Sequence, residues 1–338
     1  MKNNQKIDFV VTWVDGSDPK WQKEKLSYLG QEVTQEQIDA SVTRYRDFGH
    51  MRYWFRAVEK YAPWVNKIHF VTWGHLPEWI NTDAPKLNIV RHSDFIPEEY
   101  LPTFSSHPIE LNLHRIDGLS EQFVYFNDDF VLTAPVQPKD FFVNGLPCDC
   151  LKEDPIEFKE AGQYNQILIN DLLFASKHFA RKKCRKEKKG KWFSVRAPKA
   201  MIRNILTCLM RHEAFFGFSI HHLPQAYLVK SLKQVWDLDP ELLCETSSHR
   251  FRNDKDVSQL VFKYWQLLSG TFMPYNKDRF GKVFDVSSQL REICECISNK
   301  RYKAICINDS EQAEFEEVRQ TLTEAFEMVL SEKSSFEI

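Results

Sequence analysis

The chain has 338 residues, of which 43% are hydrophobic and 27% are charged, and its formal net charge is -2. This composition is typical of a globular protein with room for one large domain or two small ones. A net charge so near zero excludes a general electrostatic attraction to nucleic acid. With no apolar run as long as a membrane span and no signal peptide, we expect a cytoplasmic protein. The cysteines include Cys-x-Cys pairs instead of the Cys-x-x-Cys of zinc sites, so we expect reduced, mostly buried thiols.

In the first half of the chain, strand-like and helix-like segments alternate. The strand-like segments are short and rich in β-branched or aromatic residues, whereas the helix-like ones repeat apolar residues at helical spacing. The predicted strands are residues 7–14, 67–73, 87–91 and 122–126, and the predicted helices are residues 49–61 and 108–119. This alternation favours an α/β fold with a mostly parallel, wound sheet, to which we assign residues 1–150.

Beyond residue 150 the pattern becomes mainly helical. The predicted helices are residues 197–211, 224–236, 256–268 and 311–330. Asn308, Asp309 and Ser310 are suited to capping the last of them. We assign residues 151–338 to a second part, which we expect to complete an active site together with the first part. It contains a basic segment at residues 177–203.

Two adjacent acids follow the strongest strand candidate, residues 122–126. An unpaired carboxylate is costly to bury, so Asp128 and Asp129 suit a divalent cation shared with phosphate groups. Ligands of open α/β sheets bind at this carboxyl edge. Capping by one acid, with the other in water, explains the pair equally well. Asp15 and Asp18, after the first strand, either line the same crevice or simply form an Asp-Gly turn.

Candidate phosphate-binding side chains lie near the starts of the first two predicted helices. Arginine suits bidentate phosphate contacts, and four arginines surround the first helix start: Arg44, Arg46, Arg52 and Arg56. A solvated basic face is the simpler alternative for them. Ser105 and Ser106 precede the second helix, whose free N–H groups bind anions, although a helix N-cap is an equally good explanation.

The candidate acid–base residues are histidines. His222, two residues before Pro224, is either a general base toward an incoming hydroxyl or a structural residue. Glu110 and His114 lie four residues apart and share a helix face. The His-Arg-Phe-Arg stretch at residues 249–252 supplies either cations to the reaction or only surface charge.

The basic segment at residues 177–203 holds twelve lysines or arginines and a single acid, Glu187. Its simplest interpretation is a solvated loop. The functional alternative is attraction to an anionic membrane surface or to a phosphorylated lipid carrier, at roughly 1 kcal/mol per basic residue. Nucleic-acid binding is a weaker option, because aromatic residues are not interleaved with the basic ones.

Taken together, these segments resemble one family, the Stealth proteins. Residues 7–19 (Ile-Asp-Phe-Val-Val-Thr-Trp-Val-Asp-Gly-Ser-Asp-Pro) resemble its first signature block, and residues 44–132 resemble its second. The second block includes Leu-Pro-Thr-Phe-Ser-Ser at residues 101–106 and Asn-Asp-Asp at residues 127–129. Residues 222–224 and 249–265 match a third block more loosely, and residues 307–309 match a short fourth block. The blocks occur in the family's order and cover about half of the chain.

The resemblance implies a sugar-1-phosphate transferase on a nucleotide-sugar transferase (GT-A-like) fold. It implies a UDP-sugar donor, either a UDP-N-acetylhexosamine or a UDP-hexose, together with Mg²⁺ or Mn²⁺. The acceptor is a glycan hydroxyl, free or lipid-linked, which attacks the β-phosphorus so that UMP leaves. The product is a phosphodiester in a capsular or cell-wall polysaccharide. No nucleic-acid partner is expected.

Roles for individual residues follow from this chemistry. We expect Asp128 and Asp129 to hold the metal, and the resemblance alone adds Asn308, with Asp309 as a further candidate. The residues expected to bind the donor are Trp13, Asp15, Gly16, Arg46, Ser105 and Ser106.

The expected catalytic residues, besides Asp129, are two arginines and a histidine. Arg52 and Arg252 would screen phosphate oxygens, and His222 would be the general base, with His114 as its rival. Two alternatives stay open. A metal-dependent glycosyltransferase would use the same acids and donor but release UDP, and a non-catalytic module for a glycan or lipid carrier would consume no UDP-sugar.

Overall fold

A computed structural model describes residues 6–29, 48–157, 162–210, 212–310 and 312–338. The predictions for Arg44 and Arg46 lie outside the described residues. Within the described part, strands alternate with helices in the first half and helices dominate the second. None of these helices is both long enough and apolar enough to cross a membrane.

A five-stranded sheet lies at the centre of the molecule. Its strands are β1 (Ile7–Thr12), β2 (Ile68–Thr72), β3 (Leu87–Arg91), β4 (Gln122–Phe126) and β8 (Gln225–Leu228). Their order is β3-β2-β1-β4-β8, and only β8 is antiparallel to its neighbour. The prediction of an α/β fold with a mostly parallel sheet is confirmed.

The inner strands are apolar on both faces because both faces are covered. Successive side chains of a strand point to opposite sides, so Phe9 and Val11 of β1 enter one hydrophobic core while Val10 enters another. The same division separates Val124 from Phe123 in β4. Buried parallel strands therefore read as continuous apolar runs, which is why the sequence identified them.

Strand register determines which polar residues meet at the edge of the sheet. Val11 of β1 pairs with Phe126 of β4 in a parallel ladder. The segments that follow these two strands, which begin with Trp13 and Asn127, consequently leave the sheet side by side. This edge is where ligands of open α/β sheets bind.

Short strands that the sequence analysis missed form two smaller sheets. They are β5 (Phe130–Leu132), β6 (Phe142–Val143), β7 (Leu146–Asp149), β9 (Met273–Pro274), β10 (Gly281–Asp285) and β11 (Ala304–Asn308). One sheet has the order β10-β11-β5 and the other β6-β7-β9. Since β5 starts directly after Asp129 and pairs with β11, the acids after β4 lie between two sheets.

The helices pack around the sheets. The longer ones are α1 (Pro19–Tyr28), α2 (Met51–Tyr61), α3 (Ser106–Asn112), α5 (Gln163–His178), α6 (Arg181–Glu187), α8 (Pro198–Leu209), α9 (Val229–Leu238), α10 (Pro240–Ser248), α11 (Leu260–Ser269), α12 (Val286–Asn299) and α13 (Phe315–Val329). The two short helices are α4 (Pro138–Phe141) and α7 (Lys189–Trp192).

Several local predictions were wrong. The basic segment at residues 177–203, most simply interpreted as a solvated loop, contains helices α6 and α7 and the buried side chains of Arg181 and Trp192. The segment predicted as a helix at residues 224–236 begins as strand β8, because Gln225–Leu228 completes the ladder of β4 before α9 starts. The helix predicted at residues 108–119 starts earlier and ends at Asn112. The predicted cap of the last helix also fails, since Asn308 belongs to β11 and α13 begins after Glu314.

By contrast, the prediction of free thiols is confirmed: all eight cysteines are free, and five are buried.

Candidate active site

A cavity of about 480 Å³ opens at the carboxyl edge of β1 and β4. We call it the edge cavity. Its wall combines the ends of both strands with α1, the start of α3 and the loop before α11. The residues that line it include Thr12, Trp13, Trp21, Lys25, Tyr28, Phe104, Ser105, Ser106, Glu110, Tyr125, Asn127, Asp128, Gln163, Phe251 and Arg252.

The two adjacent acids after β4 face different surroundings. Asp128 lines the edge cavity, and its backbone carbonyl is hydrogen-bonded to the His50 ring just before α2. Asp129 instead contacts the second sheet: its backbone carbonyl accepts from the Ile307 N–H at 2.9 Å, and its Oδ2 lies 3.4 Å from His222 Nε2. The pair therefore connects the cavity with a polar cluster beside it.

That cluster, the Asp129 cluster, consists of Asp129, His222, Cys306 and Asn308. One ligand atom each of Asp129, His222 and Cys306 lies within 4.8 Å of the others. The Cys306 thiol is 3.1 Å from both Asp129 Oδ2 and Asn308 Oδ1. Burial and the neighbouring Asp129 raise the pKa of this thiol well above its ordinary value, so it stays protonated and acts as a donor.

Two side-chain oxygens after β4 are available to a cation. Among the described residues, Asp129 Oδ1 and Asn127 Oδ1 are buried and have no hydrogen-bond partner. Carboxylate and amide oxygens are the ligands that Mg²⁺ and Mn²⁺ prefer. These oxygens therefore fit a hard cation, while the histidine and cysteine of the same cluster are ligands that zinc also accepts.

The pKa values of the adjacent residues His222 and His221 are shifted in opposite directions. Burial lowers the pKa of His222, but the hydrogen bond and charge of Asp129 outweigh burial and leave this pKa above its ordinary value. For His221 burial dominates and lowers the pKa to about 4. His222 also packs edge-on against Phe130, with ring centroids 4.8 Å apart. Both rings face a carboxylate, His221 Nε2 at 3.5 Å from Asp278 and His222 Nε2 at 3.4 Å from Asp129, but His222 is the more exposed of the two.

The hydroxyl and arginine predicted at the cavity do meet there. Arg252 Nη2 lies 3.4 Å from Ser106 Oγ, and both residues line the cavity. Ser105 caps α3 by accepting from the His107 N–H at 3.3 Å, so the capping interpretation of this serine is correct. Arg252 thus puts a cation at the start of α3, on the same cavity as Asp128.

Asp256 holds the Arg252 loop in place. Its two carboxylate oxygens contact His107 Nδ1 at 2.9 Å and His249 Nδ1 at 2.7 Å, and one also accepts from the Asn253 N–H. Asp256 is completely buried. The histidine at the start of α3 and the loop before α11 therefore share one carboxylate, which orients Arg252.

Glu110 is a cavity residue to which the sequence analysis gave no role. It is buried, lines the edge cavity and accepts a hydrogen bond of 3.2 Å from the Tyr125 hydroxyl. Burial raises its pKa. Its signal was its position one helical turn after Ser106. His114, the rival base, lies elsewhere: it packs on Trp236, and burial lowers its pKa to about 3.

The residues after β1 divide into two groups. Trp13 lines the edge cavity and stacks on Phe70. Asp15 accepts from the Ser17 N–H at 2.8 Å, which is the turn that the simpler interpretation predicted. Asp15 and Gly16 are not among the lining residues, so their role in donor binding stays a prediction.

Helix α1 brings further residues to the cavity that the sequence analysis missed. Asp18 caps this helix by accepting from the N–H groups of Lys20 and Trp21, both at 2.8 Å. The helix then places Lys25 and Tyr28 on the cavity wall. Their signal was weak, because the segment is mostly polar and its few large apolar side chains form no clear stripe.

The arginines of α2 are occupied by the C-terminal segment. Arg56 is buried and forms an ion pair of 2.8 Å with Glu337. Arg52 lies 3.6 Å from the same Glu337 and over the ring of Trp79. Neither residue lines the edge cavity, and the part of Arg52 in phosphate screening stays a prediction.

Comparison with known proteins places this site in a family. The family models described as Stealth protein CR1, conserved region 1, and Stealth protein CR2, conserved region 2, match residues 5–33 and 44–148. The edge cavity is built mainly from residues inside these two regions, with Gln163, Phe251 and Arg252 contributed from outside them.

Curated relatives match the chain from end to end. The capsular polysaccharide phosphotransferase WcwK of Streptococcus pneumoniae is 41% identical over 100% of this chain and 99% of its own length. The receptor polysaccharide phosphotransferase WefC of Streptococcus oralis is 41% identical over 98% and 99%. The exopolysaccharide phosphotransferase cps2G of Lactiplantibacillus plantarum is 36% identical over 98% and 96%.

A solved structure of the galactosyltransferase LgtC covers 94% of this chain and 95% of its own, at 10% identity and a TM-score of 0.38. A likeness this slight carries no argument. The sequence relatives do, because their identity exceeds a third over nearly the whole length. The chain therefore belongs to the Stealth protein family, together with these polysaccharide phosphotransferases.

Proposed function

We propose that the protein transfers a sugar-1-phosphate from a UDP-sugar to a hydroxyl group of a glycan acceptor. The acceptor oxygen forms a bond to the β-phosphorus, and the bond from that phosphorus to the bridging oxygen of the diphosphate breaks. UMP leaves with the bridging oxygen, and the acceptor proton passes to a base. The observation that carries the proposal is that Asp128 and Arg252 line one cavity while Asp129 and His222 form part of the polar cluster beside it, in a chain with end-to-end phosphotransferase relatives.

The edge cavity supplies the donor site in this proposal. Its aromatic wall, with Trp13, Tyr28 and Phe251 among its members, offers flat apolar surface to a nucleoside. Arg252 faces the diphosphate as a cation, and Ser106 donates to a phosphate or sugar oxygen. Phosphoryl transfer needs positioning and charge neutralisation above all, and these side chains can provide both.

Mg²⁺ or Mn²⁺ is the cofactor we propose, held by Asp128, Asp129 and Asn308, with Asn127 as an added candidate. The support is the two buried oxygens without partners on Asp129 and Asn127 among the described residues. A bound divalent cation supplies charge neutralisation to the diphosphate.

His222 is the proposed base toward the acceptor hydroxyl. Its contact with Asp129 orients the ring, and its partly exposed position leaves it accessible to an acceptor. Glu110 is less suited, because it is buried and already accepts from Tyr125.

A groove beside the edge cavity suits the glycan acceptor. It has a volume of about 1070 Å³ and shares Gln163 with the cavity. Amide side chains of Gln163, Gln166 and Asn170 on α5 face it, and such groups hydrogen-bond to sugar hydroxyls. We propose that a free or lipid-linked glycan lies here with its acceptor hydroxyl toward Gln163.

Incubation with a panel of UDP-sugars, a glycan acceptor and Mg²⁺ or Mn²⁺ tests the function. We expect metal-dependent release of UMP and a phosphodiester signal in the phosphorus NMR spectrum of the product. Release of UDP with a plain glycoside would replace the proposal by glycosyl transfer. Absence of any donor consumption with every sugar and acceptor would favour a binding module.

A further inference from the structure

Helix α8 has its polar and apolar faces reversed relative to an ordinary surface helix. The side chains that it buries are Ala200, Asn204 and Thr207. Its large apolar side chains face outward, and so does the side chain of Met210, which follows the helix. These side chains have 46% to 74% of their surface exposed, and they are Ile202, Ile205, Leu206, Leu209 and Met210. Large contiguous apolar patches on a protein surface mark binding sites.

A buried polar network holds α8 in this orientation. Asn204 donates to the backbone carbonyls of Leu151 at 2.9 Å and Trp192 at 2.7 Å, and accepts from the Glu153 N–H at 2.8 Å. Thr207 donates to Glu153 Oε2 at 2.9 Å. Turning the apolar face inward would break all four bonds and leave buried polar groups without partners. The outward apolar face is therefore a determined feature of the fold.

The same network joins α8 to the basic helix α6. Arg181 of α6 is buried, donates to Glu153 Oε2 at 2.8 Å, and also donates to the Thr207 carbonyl at 2.9 Å. Arg185 Nη1 lies 3.1 Å from Cys208 Sγ of α8. The two helices consequently form one surface.

On the outer side of α6 the charge is strongly positive. Lys182, Lys183 and Lys186 are exposed, and Lys189 follows at the start of α7. Glu187 is the exposed acid in this stretch, and Glu213 lies in the loop after α8. We call these four lysines and the five apolar side chains of the α8 face the basic–apolar surface.

We infer that the basic–apolar surface docks the protein onto an anionic lipid bilayer. Large apolar side chains can enter the boundary between headgroups and acyl chains, while the neighbouring lysines contact acidic headgroups. Self-association through this face is disfavoured, because it would bring two lysine clusters together. A bilayer with negative headgroups matches both the apolar and the charged part of the surface.

This inference is independent of the reaction, so binding is measured without donor or acceptor. The assay is co-sedimentation of the full chain with vesicles of phosphatidylcholine, with or without phosphatidylglycerol. We expect binding to the anionic vesicles that weakens as salt is raised. The variant with Ile205→Ser, Leu206→Ser and Leu209→Ser should bind at least ~10-fold more weakly, and so should the variant with Lys182→Gln, Lys183→Gln and Lys186→Gln.

Met328→Ser is the matched control, since Met328 of α13 is 73% exposed and Leu209 is 74% exposed. It should bind like the wild type. Thermal unfolding should show that all variants remain folded, with a small loss for the serine variant because serine is a weaker helix former than leucine. The inference is overturned if the wild type ignores anionic vesicles or if the serine variant binds equally well. It is also overturned if sedimentation velocity shows that the serine substitutions turn a dimer into a monomer.

Discussion

The edge cavity and the basic–apolar surface differ in which residue types are buried and which are exposed. Around the central sheet, apolar residues are inside and polar residues gather where strands end, so Asp128 and Trp13 meet at the carboxyl edge. In α8 the polar Asn204 and Thr207 are inside and leucines face water. Polar groups are concentrated at an edge in the first region, whereas apolar groups are held outside in the second. Substitutions can disrupt the edge cavity and the basic–apolar surface separately.

The largest effect is expected from Asp129→Ala, at the junction of the cavity and its cluster. Removing the carboxylate deletes a proposed metal ligand and the partner of His222, so turnover should fall by ~10³-fold or more. UMP release with varied Mg²⁺ measures this, and circular dichroism checks the fold. Asp117→Ala, an exposed acid, is the control. Near-normal turnover at saturating metal would remove Asp129 from the mechanism.

Next in size is His222→Gln, compared with His221→Gln. If His222 takes the acceptor proton, its loss should lower kcat by ~10²-fold to 10⁴-fold with little change in KM for the donor. His221 is the less exposed of the two rings and has a low pKa, so its substitution should leave kcat much less affected. Equal loss in both variants would contradict the assignment of the base.

The polar interior behind the basic–apolar surface is tested by Arg181→Met. This change leaves Glu153 buried without its cation, and we expect unfolding free energy to fall by about 3–5 kcal/mol. Arg319→Met breaks an exposed Arg–Glu pair, to Glu316, and should cost less than ~1 kcal/mol. Urea unfolding measures both. Similar small losses would mean that the network does not hold α8 in place.

A smaller effect on activity separates the two arginines that the sequence singled out. Arg252→Ala should lower kcat/KM for the UDP-sugar by ~100-fold, because its cation faces the edge cavity. Arg52→Ala should have a much weaker effect, since Arg52 contacts Glu337 and Trp79. A loss for Arg52 as large as that for Arg252 would restore its predicted role in phosphate screening.

The smallest expected effect is on acid stability, through Asp8 in the central sheet. Burial raises the pKa of Asp8, but hydrogen bonds from His69, Asn66 and Ser120 outweigh burial and leave the pKa below its ordinary value of 3.8. The ionised carboxylate therefore stabilises the fold above about pH 4, and this contribution disappears as the pH falls through the lower folded-state pKa.

Asp8→Asn should accordingly lower the melting temperature at pH 7 and flatten its decline below about pH 4. Melting curves from acid to neutral pH measure both effects. Asp83→Asn, at an exposed position, should change neither. An unaltered acid decline in Asp8→Asn would show that other groups set it.

Prediction from the sequence succeeded where local pattern and burial agree. Strands β1 to β4 were found within two residues at each end, because strands buried on both faces are continuous apolar runs. Asp128, Arg252 and the Ser105–Ser106 pair, which the sequence analysis assigned to one site, line the same cavity. Prediction from the sequence failed for β8 and β11, because the apolar residues of these strands fit a helix or a loop equally well until a partner strand is known.

The sequence by itself determined the parallel sheet, the acids after β4 and, through conserved-region matches, the family. Only the tertiary structure decided that Asp129 turns toward His222 while Asp128 lines the cavity, and that α8 presents its leucines to solvent. The physical reason is the range of the interactions. Apolar periodicity is local, whereas these orientations depend on hydrogen bonds between residues far apart in the chain, such as those of Glu153 with Asn204 and Arg181.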